Sequence, residues 1–202
     1  MSRENVLRHG LSRYLTASEL AKLQDVTIGI AGLGGLGSNA CMMLARTGVE
    51  HFFLADYDRV ESSNLNRQYY LPSDVGERKT VAMERVLLAL NPEIQLETYT
   101  EELSASTIPT ILPRCRIWIE ALDKAETKAL FVNLCLAHQR IVVSASGISG
   151  FGGPLLTRRD IGRLTAVGDF KTDIAEAPPL APRVIWASAM LADAVLEHVL
   201  RG

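Results

Sequence analysis

Three cysteines are all that this 202-residue sequence contains, and no two of them form a CxxC pair. Zinc-clamp spacing is therefore missing, and an odd count does not close a disulfide framework. Cys41 and Cys135 fall in apolar helical patterns and Cys115 precedes a strand-like run, so all three are expected to be small buried hydrophobes. No uninterrupted apolar stretch is long enough to span a bilayer. Arg3, Glu4 and Arg8 occupy the first ten residues, where a signal peptide would carry its apolar core. A cytoplasmic protein without a membrane partner is the expectation. A net charge of −2 gives no sign of a general nucleic-acid-binding surface.

What is present is ordinary in bulk, with 48% apolar and 22% charged residues. A chain of this size can bury a full core without disulfide or metal, and residues 1–202 are expected to form a single domain. Within it, 1–25 is an N-terminal helical segment, amphipathic over 17–24. Val26 to Ala31 is rich in β-branched residues and stops at a glycine turn, as a buried strand does. Leu36, Ala40, Met43, Leu44 and Thr47 recur at helical spacing, and Gly48 ends that helix. His51 to Ala55 is the next strand, which completes a βαβ unit.

From Asp56 to about Glu77 the chain is a long polar loop, and loops of this length in compact domains usually serve function or are disordered. A helix is predicted over 78–90, a strand over 95–99, a helix over 105–112 capped by Ser104, and a strand over 116–120. A helix over 124–138 and a strand over 141–145 follow. Pro154 to Arg158 and Arg163 to Val167 read as a hairpin around Asp160-Ile161-Gly162. Residues 168–182 are irregular. A last helix from Arg183 to Leu200 is apolar round most of its circumference, so it is expected to be buried in the core or against a second subunit. The order predicts an α/β fold: a Rossmann-like, mainly parallel sheet with helices on both faces, plus a small antiparallel extension near the C-terminus.

Ligands of such sheets sit beyond the carboxyl ends of the strands. There the sequence places Gly32, Gly34, Gly35 and Gly37, a turn that lets backbone approach phosphate at a helix start. No Gly-Lys-Ser/Thr follows, so this is not a Walker loop. Asp56 lies nineteen residues past Gly37, where a carboxylate accepts from ribose hydroxyls in NAD and ATP sites alike. Asp58 shares its face if the strand continues, and is otherwise a solvated loop acid. Arg67 offers a planar fork to phosphate oxygens, with Asn64 and Gln68 beside it. Lys79 opens a helix against the dipole, a placement that makes sense with an anion nearby. Asp123 ends a strand and suits Mg²⁺, which takes one or two carboxylates plus phosphate oxygens and water. The plainer reading of Asp123 is an N-cap.

With Ser63–Gln68 added to the glycine turn, Asp56-Tyr57-Asp58, Gly76 to Lys79 and Ala121-Leu122-Asp123, most of the chain resembles the ThiF/MoeB/HesA group of ubiquitin-activating-enzyme-like adenylyltransferases. It is most similar to the short ThiF proteins of thiamine biosynthesis. The resemblance implies that ATP is adenylyl donor to the terminal glycine carboxylate of a small β-grasp sulfur carrier ending in Gly-Gly, of ThiS type. It implies that Asp56 holds the ribose and that Asn64, Arg67, Gln68 and Lys79 surround the triphosphate. Asp123 then holds Mg²⁺, residues 168–182 form the crossover loop over the carrier tail, and the protein is a homodimer. Arg13-Tyr14 resembles the segment that gives an arginine to a neighbouring site. No zinc is implied, and residues 150–182 hold no cysteine for a covalent link to the carrier. The sulfur donor is left open.

Three competing readings remain at this level. An NAD-dependent oxidoreductase explains Gly32–Gly37 and Asp56 but leaves Ser63–Gln68 idle, and the four histidines are scattered. A relative can use another acceptor, either a MoaD-like carrier or, as a dehydratase, threonylcarbamoyladenosine in tRNA. A non-catalytic scaffold has no use for Arg67, Lys79 and Asp123 together.

Overall fold

Alternation along the strands places Ile28, Ile30, Leu54, Ile117, Ile119 and Val143 in one apolar cluster, and Ala31, Phe53, Trp118 and Val142 in a second. Both faces are buried because helices cover both, the pattern expected of a parallel sheet. In the computed structural model, which describes residues 5–202, the strands are β1 (Thr27–Ala31), β2 (His51–Ala55), β3 (Gln95–Tyr99), β4 (Ile117–Glu120), β5 (Ile141–Ala145), β6 (Thr157–Ile161) and β7 (Leu164–Gly168). They form one seven-stranded sheet in the order β3-β2-β1-β4-β5-β7-β6. All pairings are parallel except β6 with β7. The expected architecture, with its antiparallel extension, is what the chain adopts.

The helices are α1 (Val6–Leu11), α2 (Ala17–Asp25), α3 (Gly35–Arg46), α4 (Lys79–Leu90), α5 (Ile108–Ile111), α6 (Ala125–Ala137) and α7 (Ala181–Leu200). Residues from α2, α3, α4 and α7 join the first apolar cluster, and residues from α5 and α6 join the second. In the second, the Trp118 ring meets Phe53 and Phe131 edge-on, with centroids 5.6 and 5.5 Å away. Cys41, Cys115 and Cys135 are all buried, as their settings suggested. Among the described residues, no helix is long and apolar enough to cross a membrane. Residues 1–4 of the expected N-terminal helical segment lie outside the described residues.

Three local expectations need correction. The helix expected over 105–112 is shorter. Ser104 and Thr107 close a turn first, the Thr107 amide donating to Ser104 Oγ at 3.3 Å, and Pro113 turns the end into a 3-10 segment. The hairpin turns at Gly162-Arg163, because Ile161 pairs with Leu164 and Gly162 takes φ +61°. The last helix begins at Ala181, with Pro182 in its first turn, where a missing N–H costs nothing. Much of that helix is in the core, and the face bearing Ile185 and Trp186, each 40% exposed, is the part that the expected burial in the core does not cover.

Candidate active site

The carboxyl ends of β1, β2, β4 and β5 open on one cleft of about 680 Å³. Gly32, Gly34, Gly35, Asp56, Asp58, Asn64, Arg67, Gln68, Lys79 and Asp123 all lie on its wall. The fold thus brings together residues that lie up to ninety-one positions apart in sequence. Gly37 lies behind the wall instead. A Cβ there would sit 1.8 Å from the Gly32 carbonyl oxygen, so this glycine serves the packing of α3 against the turn.

The turn needs Gly32 for its conformation. Its φ is +92°, and a Cβ would come within 2.6 Å of the Ala121 carbonyl oxygen. At Gly34 a Cβ would meet nothing nearer than Gln68 Nε2 at 3.9 Å, so it would project into the cleft. That space is one a phosphate can enter, at the N-terminal end of the 12-residue helix α3.

Asp56 braces the turn. Its Oδ2 accepts from the Leu33 amide at 2.6 Å and its Oδ1 from the Asp58 amide at 2.7 Å. Burial pushes the Asp56 carboxyl up from its ordinary value, while Lys79 and the two amides pull against that shift. The anion beside Lys79 comes from the chain itself. Its Nζ donates to Asp58 Oδ2 at 2.7 Å and lies 4.0 Å from Asp56 Oδ2. Buried at the N-terminus of α4, this lysine is stable because two carboxylates face it.

The polar loop is fastened to α3. Asn39 Nδ2 donates to the Arg67 carbonyl at 2.8 Å, the Tyr69 amide to Ser38 Oγ at 3.0 Å, and the Tyr70 hydroxyl to the Leu33 carbonyl at 2.9 Å. The Arg67 stem passes over Gly35, and its guanidinium donates to the Ser63 carbonyl at 3.0 Å and Asn66 Oδ1 at 2.8 Å. Partial burial lowers the Arg67 pKa from its ordinary value. Gln68 is 9% exposed and its Oε1 is buried without a hydrogen-bond partner. A buried acceptor left unpaired on a cleft wall fits a ligand donor.

Asp123 is exposed and makes no hydrogen bond or ion pair with another described side chain. It is not the cap of α6, whose N-cap is Lys124. Among the described residues there is no group of three or more acidic, His or Cys side chains that could cage a metal. One free carboxylate beside a phosphate-sized space still suits Mg²⁺, which arrives on phosphate oxygens. Arg13 does not join this cleft. It follows α1, and Leu11 packs on Gly48 at the opposite end of the sheet.

Sequence reasoning missed a buried polar group just behind the same wall. Glu120 is 0% exposed, and its Oε1 accepts from the Leu122 amide at 2.8 Å. Its Oε2 accepts from Ser144 Oγ at 2.6 Å and from Lys128 Nζ. The available signal was a carboxylate closing the otherwise apolar strand Ile117-Trp118-Ile119, which demands a partner when buried.

The chain is similar to known proteins in both sequence and fold. The ThiF family model matches residues 8–172. The chain is 35% identical over 136 residues to the sulfur carrier protein ThiS adenylyltransferase of Escherichia coli (strain K12), covering 67% of this chain and 54% of that protein. It is 33% identical over 143 residues to the adenylyltransferase and sulfurtransferase MOCS3 of Culex quinquefasciatus, covering 68% of this chain and 33% of that one. The chain therefore spans about half the length of the first relative and a third of the second. In fold it resembles the E. coli tRNA N6-threonylcarbamoyladenosine dehydratase, with a TM-score of 0.82 at 21% identity over 96% of this chain and 92% of the other. Over residues 8–172, which include the glycine turn and the polar loop, this chain belongs to the ThiF family.

Proposed function

We propose that the protein adenylylates the C-terminal glycine carboxylate of a small β-grasp sulfur carrier, of ThiS type, for thiamine thiazole synthesis. The observation that carries this reading is the fastening of the Ser63–Gln68 loop onto the glycine turn, with Arg67 packed over Gly35. A hydride-transfer enzyme has no use for Arg67 and Lys79 at that point. In the reaction, a carrier carboxylate oxygen forms a bond to the α-phosphorus of ATP. The bond from that phosphorus to the bridging oxygen breaks, and pyrophosphate leaves with the electron pair. The products are a carrier acyl-adenylate and pyrophosphate.

Each residue has a defined task. The free amides at the start of α3 bind phosphate, and Asp56 turns its remaining lone pairs to the ribose. Arg67 binds phosphate oxygens through its fork. Lys79 keeps one N–H on Asp58 and offers the others to phosphate, while Asn64 and Gln68 complete the polar shell. Bound Mg²⁺ supplies charge neutralisation to the triphosphate, and Asp123 is the residue to hold it. Catalysis then consists of placement and electrostatics, and no covalent enzyme intermediate is needed. Residues 168–182 form the crossover segment over the carrier tail. Two copies pair through the α7 face that exposes Ile185 and Trp186.

Side-by-side titration with ATP–Mg²⁺ and NAD tests the nucleotide. ATP is expected to bind at least about tenfold tighter, the least that one charge-assisted contact confers, and preferential NAD binding overturns the proposal. Pyrophosphate exchange with carriers ending in Gly-Gly tests the acceptor. For the pairing, the wild-type chain is expected to sediment as a dimer and the Trp186→Asp variant as a monomer. A monomeric wild type refutes that part.

A further inference from the structure

Lys128 lines the cleft, and Glu120 and Ser144, buried behind it, complete a charged group that the proposed reaction leaves unused. We infer that Lys128 receives the carboxylate of the incoming acceptor, with Glu120 and Ser144 as the positioning residues that aim its ammonium. The inference rests on the adenylylation reading and adds the residue that binds the second substrate.

An ammonium has three N–H donors. Lys128 Nζ uses one on Glu120 Oε2 and one on the Ala145 carbonyl at 3.1 Å. The third has no protein acceptor among the described residues, and the side chain keeps 25% exposure on the cleft. A purely structural buried pair gains little over apolar packing. This pair keeps its cationic end wet and its anionic end fully dry, the arrangement of a charge held for an outside partner.

Topology says what that partner is. The glycine turn follows β1 and Asp56 follows β2, so the nucleoside extends toward β2 and β3. Lys128 stands on the other side of the turn, where β4 and β5 end and the crossover segment at Thr172 to Ile174 closes the wall. A second substrate must approach from there. An anionic nucleophile entering this cleft meets the carboxylates of Asp56, Asp58, Glu61, Glu101, Glu102 and Asp123, and on the acceptor's own side that of Asp173, so it needs a cation there. Lys79 and Arg67 are committed to the nucleotide's phosphates in the proposed reaction, and Lys124 is a 60% exposed side chain tied to Glu102 at 3.0 Å, whereas Lys128 is 25% exposed and held in place by two bonds. Lys128 is thus a cation with a donor to spare on the acceptor's side. Glu120 also holds the Leu122 amide, so one carboxylate fixes both Lys128 and the loop that carries Asp123.

The test is steady-state pyrophosphate exchange by the full chain with a panel of β-grasp carriers ending in Gly-Gly. Lys128→Met is expected to raise KM for the carrier at least about tenfold while KM for ATP stays within about twofold, the split of a residue that binds one substrate alone. Lys128→Arg should restore most of the loss, and Glu120→Gln should show the same split more weakly. A probe on the wild-type chain needs no variant. A peptide ending in Gly-Gly with a free carboxylate should compete with the carrier, and its C-terminal amide should not. Equal inhibition by both peptides, or equal rises in the two KM values, overturns the inference. Normal exchange by Lys128→Met overturns it while leaving adenylylation intact. Absence of exchange by the wild type with every carrier overturns the acceptor reading and this inference together.

Discussion

Asp123→Ala is expected to lower carrier-dependent ATP–pyrophosphate exchange by at least about 10²-fold, the scale of losing a transition-state charge partner. Its fold should be untouched. Asp123 is exposed, makes no hydrogen bond or ion pair with another described side chain, and does not cap α6. Substitution of such a residue changes stability by less than about 0.5 kcal/mol. The combination matters, because a large kinetic loss without a shift in melting separates a ligand-handling role from a structural one. Asp123→Asn should retain part of the phosphate geometry but little of the Mg²⁺ dependence. Full exchange activity in the alanine variant would remove Asp123 from the mechanism.

Asp169→Ala is expected to cost about 3–5 kcal/mol of stability, the penalty for leaving a buried charge uncompensated. Arg183 is 5% exposed, and its Nη2 donates to Asp169 Oδ2 at 2.7 Å. Asp169 Oδ1 also accepts from the amides of Lys171 and Thr172 at 2.8 and 2.9 Å, and Arg183 Nη1 donates to the Pro154 carbonyl at 2.9 Å. One carboxylate therefore ties the start of the 168–182 segment to α7. Burial raises the Asp169 carboxyl, but the Thr172 and Lys171 amides, the Thr172 hydroxyl and Arg183 outweigh it and hold the pKa below the ordinary value. A depressed folded pKa gives stability that is complete above the unfolded carboxyl value and is lost as pH falls through the folded one. The stability gap between wild type and Asp169→Asn should be flat from neutral pH down to the ordinary carboxylate range and shrink below it. A gap that stays constant into strong acid would show that Asp169 contributes by packing alone.

Strand periods, the glycine turn and the order of elements were enough to read the sheet, because each of these signals is local. β2, β3 and β5 fall within one residue of their expected ends for that reason. Ser63–Gln68 was legible as chemistry, since Asn, Arg and Gln together have no common packing role. Errors arose where two local rules compete. Pro182 reads as a helix stop unless it lies in the first turn, and Asp160-Ile161-Gly162 offers a turn that pairing of Ile161 with Leu164 displaces. The Glu120–Lys128–Ser144 group was illegible because its partners meet only across β4, α6 and β5. Asp58 as the ion-pair partner of Lys79 was hidden in the same way, twenty-one residues distant.

The three hydrogen bonds from the 67–70 stretch to α3 and its turn have a kinetic consequence. They make the loop part of the cooperative folding unit, so its conformational entropy is lost when the chain folds and not when a ligand arrives. Association should then proceed against a finished surface, with amide exchange at Arg67 and Tyr69 as slow as in the helix beneath them. Any gating of the reaction has to come from the other bank of the cleft.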